Sequence, residues 1–535
     1  MNTGTTQEHN IWSPLTLEEL MEKGEVSEIL EWTFMYDDES KKEGLPYNIS
    51  LFRSIGWVSY SEWKNQSIEP TVLIQKVTGT LSEWQEVYRR YLEALNWVDE
   101  KTQIQREWIL YIIDTIEMAK IAVPIELEKS SSKAILWDEE RSDLVRRMDE
   151  YQTKIYGEKL SENLDEIYET LALMRYEWQH EWSYLKEDEK KEYLSIYRDL
   201  IKILEKKYPQ QQFERSLEHI QYTDTKNPTA EKMKWISIHR SIYIELWRMF
   251  VEANGLNHKV RTSGEVSSIF DGPKALLIPR NKKYEEKNIM EVLELMVHEI
   301  GVHYLNQKIT EDAWFSFRWA KNLEKEEGLA ILCEGLFAWK SLDEIKRAWY
   351  SFPYILVGEL LWKQARRRLA DLRVKMDQKW KVWDTHNNRD LRIMRGYPLD
   401  SLGAQRKDMS YGRGLLKIIH HIESGEFSLT DFFAGKFSIE DIVSWKIDRI
   451  IPRENRAFPL LFPEMLLYIF THGRESFTHE KFWEYIKDKY DSVLRQEEVG
   501  SISKVQQITT LKVFVNMLKV IEHYKNAPTP PHLPS

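Results

Sequence analysis

The sequence predicts an α+β fold that is mainly helical and carries one small sheet. Helical spacing dominates, and residues 82–121 show it clearly, with aromatic and aliphatic side chains three or four positions apart among charged ones. The same spacing recurs in four further stretches, at residues 134–156, 160–182, 186–207 and 229–254. Residues 272–281, GPKALLIPRN, differ, because a short apolar run bounded by Gly, Pro and Asn is typical of a strand.

The helical runs are separated by prolines and are rich in Trp and Tyr. Proline lacks a backbone donor and clashes with the preceding turn, so helix breaks are predicted at Pro46, Pro70, Pro124 and Pro209. Aromatic residues repeated at helical spacing indicate packing between helices rather than ligand stacking. The tail NAPTPPHLPS, residues 526–535, is rich in proline, and we expect it to be disordered.

The composition argues against several classes of protein. Of the 535 residues, 42% are hydrophobic, enough for a sizeable core, and the formal net charge of -11 argues against general nucleic-acid binding and against attachment to anionic membranes. The single cysteine, Cys333, excludes an internal disulfide and a Cys-rich zinc finger, and we expect it to be a small buried residue. No secretory signal is visible, and the most apolar windows fall short of the roughly 20 residues that span a membrane. We therefore expect a soluble cytoplasmic protein.

The strand candidate directly precedes a predicted helix, residues 285–308. The apolar residues of this helix form one buried stripe that consists of Ile289, Val292, Leu293, Met296 and Ile300. At about 100° per residue, His298 lies roughly 180° from Ile289, so it points away from that stripe. An edge strand beside this helix could hold a peptide by backbone pairing, and an ordinary structural strand fits the sequence equally well.

The helix contains the segment VHEIGVHYL, residues 297–305, with His298, Glu299 and His303 in the pattern H-E-x-x-x-H. The familiar zinc-protease motif is H-E-x-x-H, one residue shorter. In an ideal α-helix, residues five apart diverge by about 140°, against about 40° for residues four apart. The two histidines can share an ion if the helix widens by one residue as a π-bulge does, and Gly301 tolerates that distortion easily. The alternative is two partly buried histidines bonded to neighbouring carboxylates or carbonyls.

A third ligand is predicted on the next helix, within LEKEEGLAILCEGLFAW, residues 323–339. A catalytic zinc takes three protein ligands and keeps one position open, and two histidines with one glutamate are a known set. Glu327 follows His303 at a distance that lets the chain turn back and pack a second helix beside the first. Glu326 and Glu334 compete with it, and Glu334 could instead hold an imidazole by its far nitrogen.

HEIGVHYL followed by EEGLA resembles the tyrosine carboxypeptidase family of zinc metallopeptidases. Its eukaryotic members include enzymes that remove the C-terminal tyrosine of α-tubulin, and its bacterial members are labelled by a Q-E-G-L-A motif, in which Glu326 replaces the glutamine here. The resemblance implies a zincin-like core in which His298, His303 and Glu327 bind one zinc ion. It also implies that Glu299 is the catalytic base toward a zinc-bound water.

The resemblance extends over roughly residues 140–455. Four further segments are similar to family elements, namely residues 154–171, 392–396, 407–418 and 435–442. Gln405 and Arg406 depart from the family, which often has Phe-Thr before Lys-Asp. We therefore predict a helical N-terminal region of unknown role that we expect to pack on the rest (1–130), a catalytic domain (131–455), a helical C-terminal extension (456–525) and the tail (526–535).

The implied activity is a zinc-dependent carboxypeptidase that removes a C-terminal Tyr or Phe from a peptide or protein. Tyr411 is a candidate for assisting catalysis, and it could equally be a packed aromatic residue. A free carboxylate suits a forked arginine or a lysine, and the candidates in the matched segments are Arg392, Arg395, Lys407 and Arg413. No nucleic acid or membrane partner is expected.

Two alternatives remain open. The same metal centre would serve an endopeptidase or an aminopeptidase. The chain could also be a non-enzymatic helical regulatory or interaction protein that retains the motif without using it. The substrate itself does not follow from the motif, because substrate identity within a family does not transfer with the metal site.

Overall fold

The computed structural model describes residues between positions 70 and 493, with internal gaps of which the longest are residues 214–236 and 377–392. The described part is mostly helical with two small sheets, as the α+β prediction requires. The chain divides into two compact units. Unit 1 comprises residues 1–159, 358–371 and 382–405, and unit 2 comprises residues 160–357, 372–381 and 406–535.

The predicted domain boundaries at residues 130 and 455 stay predictions. Residues 1–69, which make up about half of the predicted N-terminal region, and the tail 526–535 lie outside the described residues.

Three consecutive helices pack together in unit 1: α1 (Pro70–Ala94), α2 (Glu100–Ser130) and α3 (Asp138–Tyr156). Apolar residues at helical spacing, among them Leu81, Ile116 and Met148, are fully or almost fully buried. Tyr88 of α1 and Trp108 of α2 meet edge to face, with ring centroids 6.1 Å apart. The repeated aromatic residues of this stretch therefore act in helix packing, as the sequence predicts.

The predictions at Pro70 and Pro124, both in this unit, have different outcomes. Pro70 begins α1, where its missing N–H is not needed. The break predicted at Pro124 is wrong, because α2 continues through it to Ser130. Val123 and Ile125 on either side are buried, so packing of the flanking side chains outweighs the one backbone bond that proline removes.

Unit 2 holds all the strands and the remaining described helices, except for the parts of α11 and α12 that belong to unit 1. Helices α4 (Leu164–His180) and α5 (Glu187–Lys207) precede the first strand, and α6 (Arg240–Ala253) directly follows it. The later helices in chain order are α7 (Ile289–Leu295), a π-helix (Met296–Tyr304), α8 (Leu305–Asp312), α9 (Asn322–Phe337), α10 (Leu342–Ile345), α11 (Phe352–Leu360), α12 (Lys363–Met376), α13 (Met409–Glu423), α14 (Ile439–Val443) and α15 (His479–Tyr490). The unit boundaries fall inside α11 and α12.

The strands form two small sheets. Strands β2 (Lys259–Ser263), β3 (Phe270–Asp271) and β4 (Ala275–Pro279) make the larger one, and β1 (Ser237–His239) pairs antiparallel with β5 (Glu286–Asn288). The predicted strand is confirmed as β4. It is the central strand, parallel to β2 and antiparallel to β3, which favours the ordinary structural strand over the edge strand of the two alternatives left open by the sequence. Both of its neighbours come from chain segments that precede it.

Strand β5 leads directly into the helix that carries the histidines. Asn288 ends β5 and caps α7, its side-chain oxygen accepting from the backbone N–H of Met290 at 2.7 Å. The five residues of the predicted apolar stripe are all buried, from Ile289 to Ile300. The helix runs from Ile289 to Asp312 in three parts, α7, the π-helix and α8.

Helices α9 and α13 cross at two glycines, Gly328 and Gly414. A Cβ atom on Gly414 would lie 1.6 Å from the carbonyl oxygen of Glu324, and one on Gly328 would lie 2.3 Å from the carbonyl carbon of Gly414. Any larger residue would force the helices apart. This close crossing fixes α13, which carries Tyr411, against α9, which carries Glu327.

Cys333 is fully buried in α9, as predicted, and burial raises the pKa of its thiol. In the part of the chain that the structure describes, no helix is both long and apolar enough to cross a membrane.

Candidate metal centre

His298 and His303 both lie in the nine-residue π-helix Met296–Tyr304. A π-helix is bonded from residue i to residue i+5, and the backbone N–H of Leu305 accordingly donates to the carbonyl of Ile300. Residues five apart therefore stand about one turn apart, on the same side. The two imidazole rings lie 4.8 Å apart between centroids at an interplanar angle of 81°. The widening that the five-residue spacing requires is thus confirmed, and it extends over more than a single bulge.

Gly301 lies in this π-helix, at the position where a residue without Cβ was expected to ease the distortion. A Cβ atom there would find its nearest neighbours at 3.8 Å, which is ordinary contact with Phe250 and the carbonyl of Met296. Space at Gly301 is therefore not what makes the π-helix possible. Val297, Ile300 and Val302 of the same π-helix are all fully buried.

Glu327 of α9 approaches both histidines with a single oxygen. Its Oε2 lies 3.6 Å from Nε2 of His298 and 3.8 Å from Nε2 of His303. These distances are too long for hydrogen bonds, and ligands that share a tetrahedral zinc at about 2.1 Å stand about 3.4 Å apart. The three donor atoms lie within 4.8 Å of one another. Two ring nitrogens and a carboxylate oxygen thus face one position.

The three donor atoms and their surroundings fit a metal ion. Oε2 of Glu327 is buried and has no hydrogen-bond partner among the described residues, although buried polar atoms are rarely left unsatisfied. An ion between the three donors would satisfy it. Within the described ranges, no other group of three or more His, Cys, Asp or Glu residues is arranged to hold a metal ion. The set suits zinc without being specific to it.

Each histidine is held at its other nitrogen by a carboxylate of α9. Nδ1 of His298 lies 2.9 Å from Oε1 of Glu334, and Nδ1 of His303 lies 3.2 Å from Oε2 of Glu326. A carboxylate can only accept, so a neutral imidazole in this contact carries its proton on Nδ1 and leaves the Nε2 lone pair for a metal. The expected contact of Glu334 with an imidazole is confirmed. Glu326, considered from the sequence only as a competing ligand, holds the second one.

The charges of the site favour a carboxylate at Glu327 and a protonated imidazole at His298, so a cation that binds here displaces a proton from His298. Burial alone raises the pKa of Glu327, but the neighbouring His298 and the charges of His303 and Lys407 lower it to about 2. Burial alone lowers the pKa of His298, but Glu334 and Glu327 raise it well above its usual value. Glu327 is therefore a carboxylate across the physiological range, which is the form that binds a cation.

Glu299, the predicted base, directly follows His298 on the π-helix and is half-buried. Its negative charge contributes to the raised pKa of His298, so it lies close to the metal ligands without belonging to the donor set. Tyr411 is half-buried in the first turn of α13, the helix that crosses α9.

The four predicted carboxylate-binding residues differ in their surroundings. Lys407 is half-buried just before α13, and its charge helps to lower the pKa of Glu327. Arg413 is buried and forms a bidentate ion pair with Glu166. Its Nε donates to Oε1 at 2.6 Å, and an Nη donates to Oε2 at 2.8 Å. Its fork is thus occupied by a structural ion pair, and the structure does not support Arg413 as a substrate anchor. Arg392 and Arg395 lie outside the described residues.

Sequence reasoning assigned no role to Lys325 and Lys436, which both contact Glu326. Nζ of Lys325 lies 2.5 Å from Oε1, and Nζ of Lys436 lies 3.2 Å from Oε2. Lys325 stands in the charged run EKEE at the start of α9, so its local sequence does not distinguish it from a solvated lysine. Nothing in the local sequence points to Lys436, which comes from a loop more than a hundred residues later.

Comparison with known proteins adds no relative: no family model matches the chain, and neither curated proteins nor solved structures yield a significant match. The class that the site itself defines is a candidate metal-binding protein with two histidines and one glutamate.

Proposed function

We propose that this protein is a zinc-dependent carboxypeptidase that removes a C-terminal Tyr or Phe from peptides or proteins. The observation that carries the proposal is the convergence of the two Nε2 atoms on Oε2 of Glu327, at 3.6 and 3.8 Å. Three protein ligands with one open position are the composition of a catalytic rather than a structural zinc site. The choice of a carboxypeptidase is supported by the resemblance of HEIGVHYL and EEGLA to that family.

The residues of the chain divide the chemical work. A bound zinc ion supplies a Lewis acid that polarises the scissile carbonyl and acidifies water. Glu299 adjoins a ligand and is only half-buried, so its carboxylate can accept the proton of the attacking water and pass it to the leaving amine. Glu326 and Glu334 keep the two imidazoles oriented throughout.

Lys407 is the favoured anchor for the substrate carboxylate. Of the two candidates that the structure describes, Lys407 and Arg413, it is the one whose charge lowers the pKa of Glu327, and it precedes the helix that packs against α9. An ammonium group near a candidate metal ligand attracts the negatively charged C-terminus of a peptide toward the site. The preference for an aromatic C-terminal residue rests on the resemblance alone.

The test is mass spectrometry of synthetic peptides that differ only in their C-terminal residue, each prepared with a free carboxylate and with an amide. The zinc-loaded wild type is expected to remove one Tyr or Phe from the free acids and to leave the amides intact. Glu299→Gln is expected to bind zinc and to lose activity by at least about 100-fold. Glu291→Gln, on the same helix but paired with Lys287 at 2.8 Å, is the matched control and should stay active.

Three outcomes would contradict the proposal in different ways. Cleavage inside the peptides or at their N-termini would indicate an endopeptidase or an aminopeptidase. Activity that persists in Glu299→Gln would indicate another base or a contaminating enzyme. Bound zinc without any cleavage would favour a regulatory or interaction protein that retains the site.

A further inference from the structure

A buried carboxylate, Glu326, contacts two lysines next to the candidate metal centre. Glu326 contacts Lys325 through Oε1 at 2.5 Å and Lys436 through Oε2 at 3.2 Å. The side chain of Lys325 is fully buried, and those of Lys436 and Glu326 are 8% and 4% exposed. Buried charges are costly unless they are paired with good geometry, so the three groups depend on one another.

The same carboxylate reaches the metal ligand. Oε2 of Glu326 accepts from Nδ1 of His303 at 3.2 Å, in addition to its contact with Lys436. Three donors therefore converge on two oxygens, and a carboxylate has enough lone pairs for all of them. A glutamine would offer one oxygen and would turn its own NH₂ toward one of the donors.

The loop that supplies Lys436 is fixed to the helix that follows His303. The backbone N–H of Gly435 donates to Oδ1 of Asn306 at 3.1 Å, and that of Lys436 donates to Oγ1 of Thr310 at 2.6 Å. Lys325 donates to the carbonyl of Gly435 at 2.5 Å. Gly435 has φ 82°, and a Cβ there would meet Oγ1 of Thr310 at 2.7 Å. The position of Lys436 is thus set by α8 and α9 together.

We propose that Glu326, held by Lys325 and Lys436, is a positioning residue that keeps Nε2 of His303 directed at the metal position. The inference rests on the metal centre of the proposed function and deepens it by adding the groups that orient one ligand. The two lysines balance the charge of Glu326, so that the histidine gains a fixed acceptor without an uncompensated buried carboxylate. Glu326 and Lys325, which contacts the oxygen that His303 does not use, should therefore depend on each other in their effect on metal binding.

The experiment measures the dissociation constant of Zn²⁺ by competition with a chromophoric chelator, together with the absorption spectrum of the Co²⁺-loaded protein. Glu326→Gln is expected to weaken zinc binding by about 10- to 100-fold and to change the Co²⁺ spectrum, because the amide cannot accept from all three donors. Adding Lys325→Met removes the donor at the Oε1 position, where the NH₂ of the glutamine can then lie, and leaves the amide oxygen to accept from His303 and Lys436, so the double variant should bind within about threefold of wild type. The double variant also provides the measurement if Glu326→Gln alone does not fold.

The matched control uses another ion pair of the same helix. Nζ of Lys417 lies 2.6 Å from a carboxylate oxygen of Glu324, on α9 but away from the histidines. Glu324→Gln with Lys417→Met should leave the zinc dissociation constant and the Co²⁺ spectrum unchanged. A general effect of removing any ion pair from α9 would instead change both.

Two results would overturn the inference: wild-type zinc affinity and spectrum in Glu326→Gln, or a double variant that binds zinc no better than Glu326→Gln. Failure of the metal centre itself has a different signature. In that case the wild type would bind zinc no more tightly than His303→Ala, whatever residue 326 is.

Discussion

Nδ1 of His298 lies 2.9 Å from Oε1 of Glu334, a residue that follows the candidate ligand Glu327 by two helical turns on the same face of α9. One helix thus provides a candidate metal ligand and a carboxylate that contacts another candidate ligand. The chemistry of the site therefore depends on the register of α9 against the π-helix as well as on the identity of the three donors.

The first prediction concerns this contact. Glu334→Ala removes the acceptor of Nδ1 and should weaken Zn²⁺ binding by about 10- to 100-fold, since the imidazole loses its fixed orientation. Glu334→Gln keeps an acceptor oxygen and should lose less than Glu334→Ala. Chelator competition measures both, with Glu423→Gln as a control because Glu423 pairs with Lys346 at 2.7 Å elsewhere in unit 2. Equal zinc affinity in Glu334→Ala and wild type would show that the contact does not orient His298.

The second prediction concerns Lys407. Lys407→Met should lower kcat/KM for peptides with a free C-terminal carboxylate by roughly 10- to 100-fold, mainly through KM, because a charge-assisted hydrogen bond contributes about 1.5–3 kcal/mol. The measurement is steady-state kinetics on a Tyr-ended peptide. Lys417→Met, on α13, is the control and should change little. A loss confined to kcat would instead indicate that Lys407 acts in the chemical step.

The third prediction concerns the crossing of α9 and α13. Gly414→Ala places a Cβ atom 1.6 Å from the carbonyl oxygen of Glu324, so the helices must separate. We expect the free energy of unfolding to fall by about 3 kcal/mol or more, measured by urea denaturation. Gly79→Ala, in α1 with no heavy atom within 4 Å of the new Cβ, should instead leave stability unchanged or raise it by up to about 1 kcal/mol. Tolerance of Gly414→Ala would mean that the helices cross less closely.

The fourth prediction concerns pH and an ion pair of unit 1. Burial alone raises the pKa of Glu117, but hydrogen bonds from Lys120 and Gln85 and the charges of Lys120 and Arg147 lower it below its usual value. A carboxyl whose pKa is lower in the folded state stabilises the fold above its unfolded pKa, and this contribution is lost as pH falls through the folded pKa.

Glu117→Gln should therefore destabilise the protein by about 1 kcal/mol at pH 7, and the difference should shrink as the pH falls below about 4.5. Urea denaturation at several pH values measures it. A difference that stays constant down to the lowest pH would assign the effect to lost packing rather than to charge.

The local features of the fold follow from the sequence because they depend on neighbours along the chain. Periodic apolar residues predict α3 to α6, and a run bounded by Gly, Pro and Asn predicts β4. The helix break expected at Pro124 does not occur, because burial of the residues on either side of it outweighs the local tendency of proline to end a helix. The place of β4 at the centre of its sheet also escapes the local sequence, since it depends on which segments pair with it.

At the site, the sequence by itself determines that His298 and His303 can meet only on a widened helix, because five-residue spacing is incompatible with an ideal α-helix. It also determines the donor types. Only the tertiary structure decides which groups face them: Glu334 and Glu326 behind the imidazoles, Lys436 behind Glu326, and Glu166 on Arg413. Backbone periodicity is set within a few residues, whereas these contacts join segments far apart in the chain and exist only once the helices have packed.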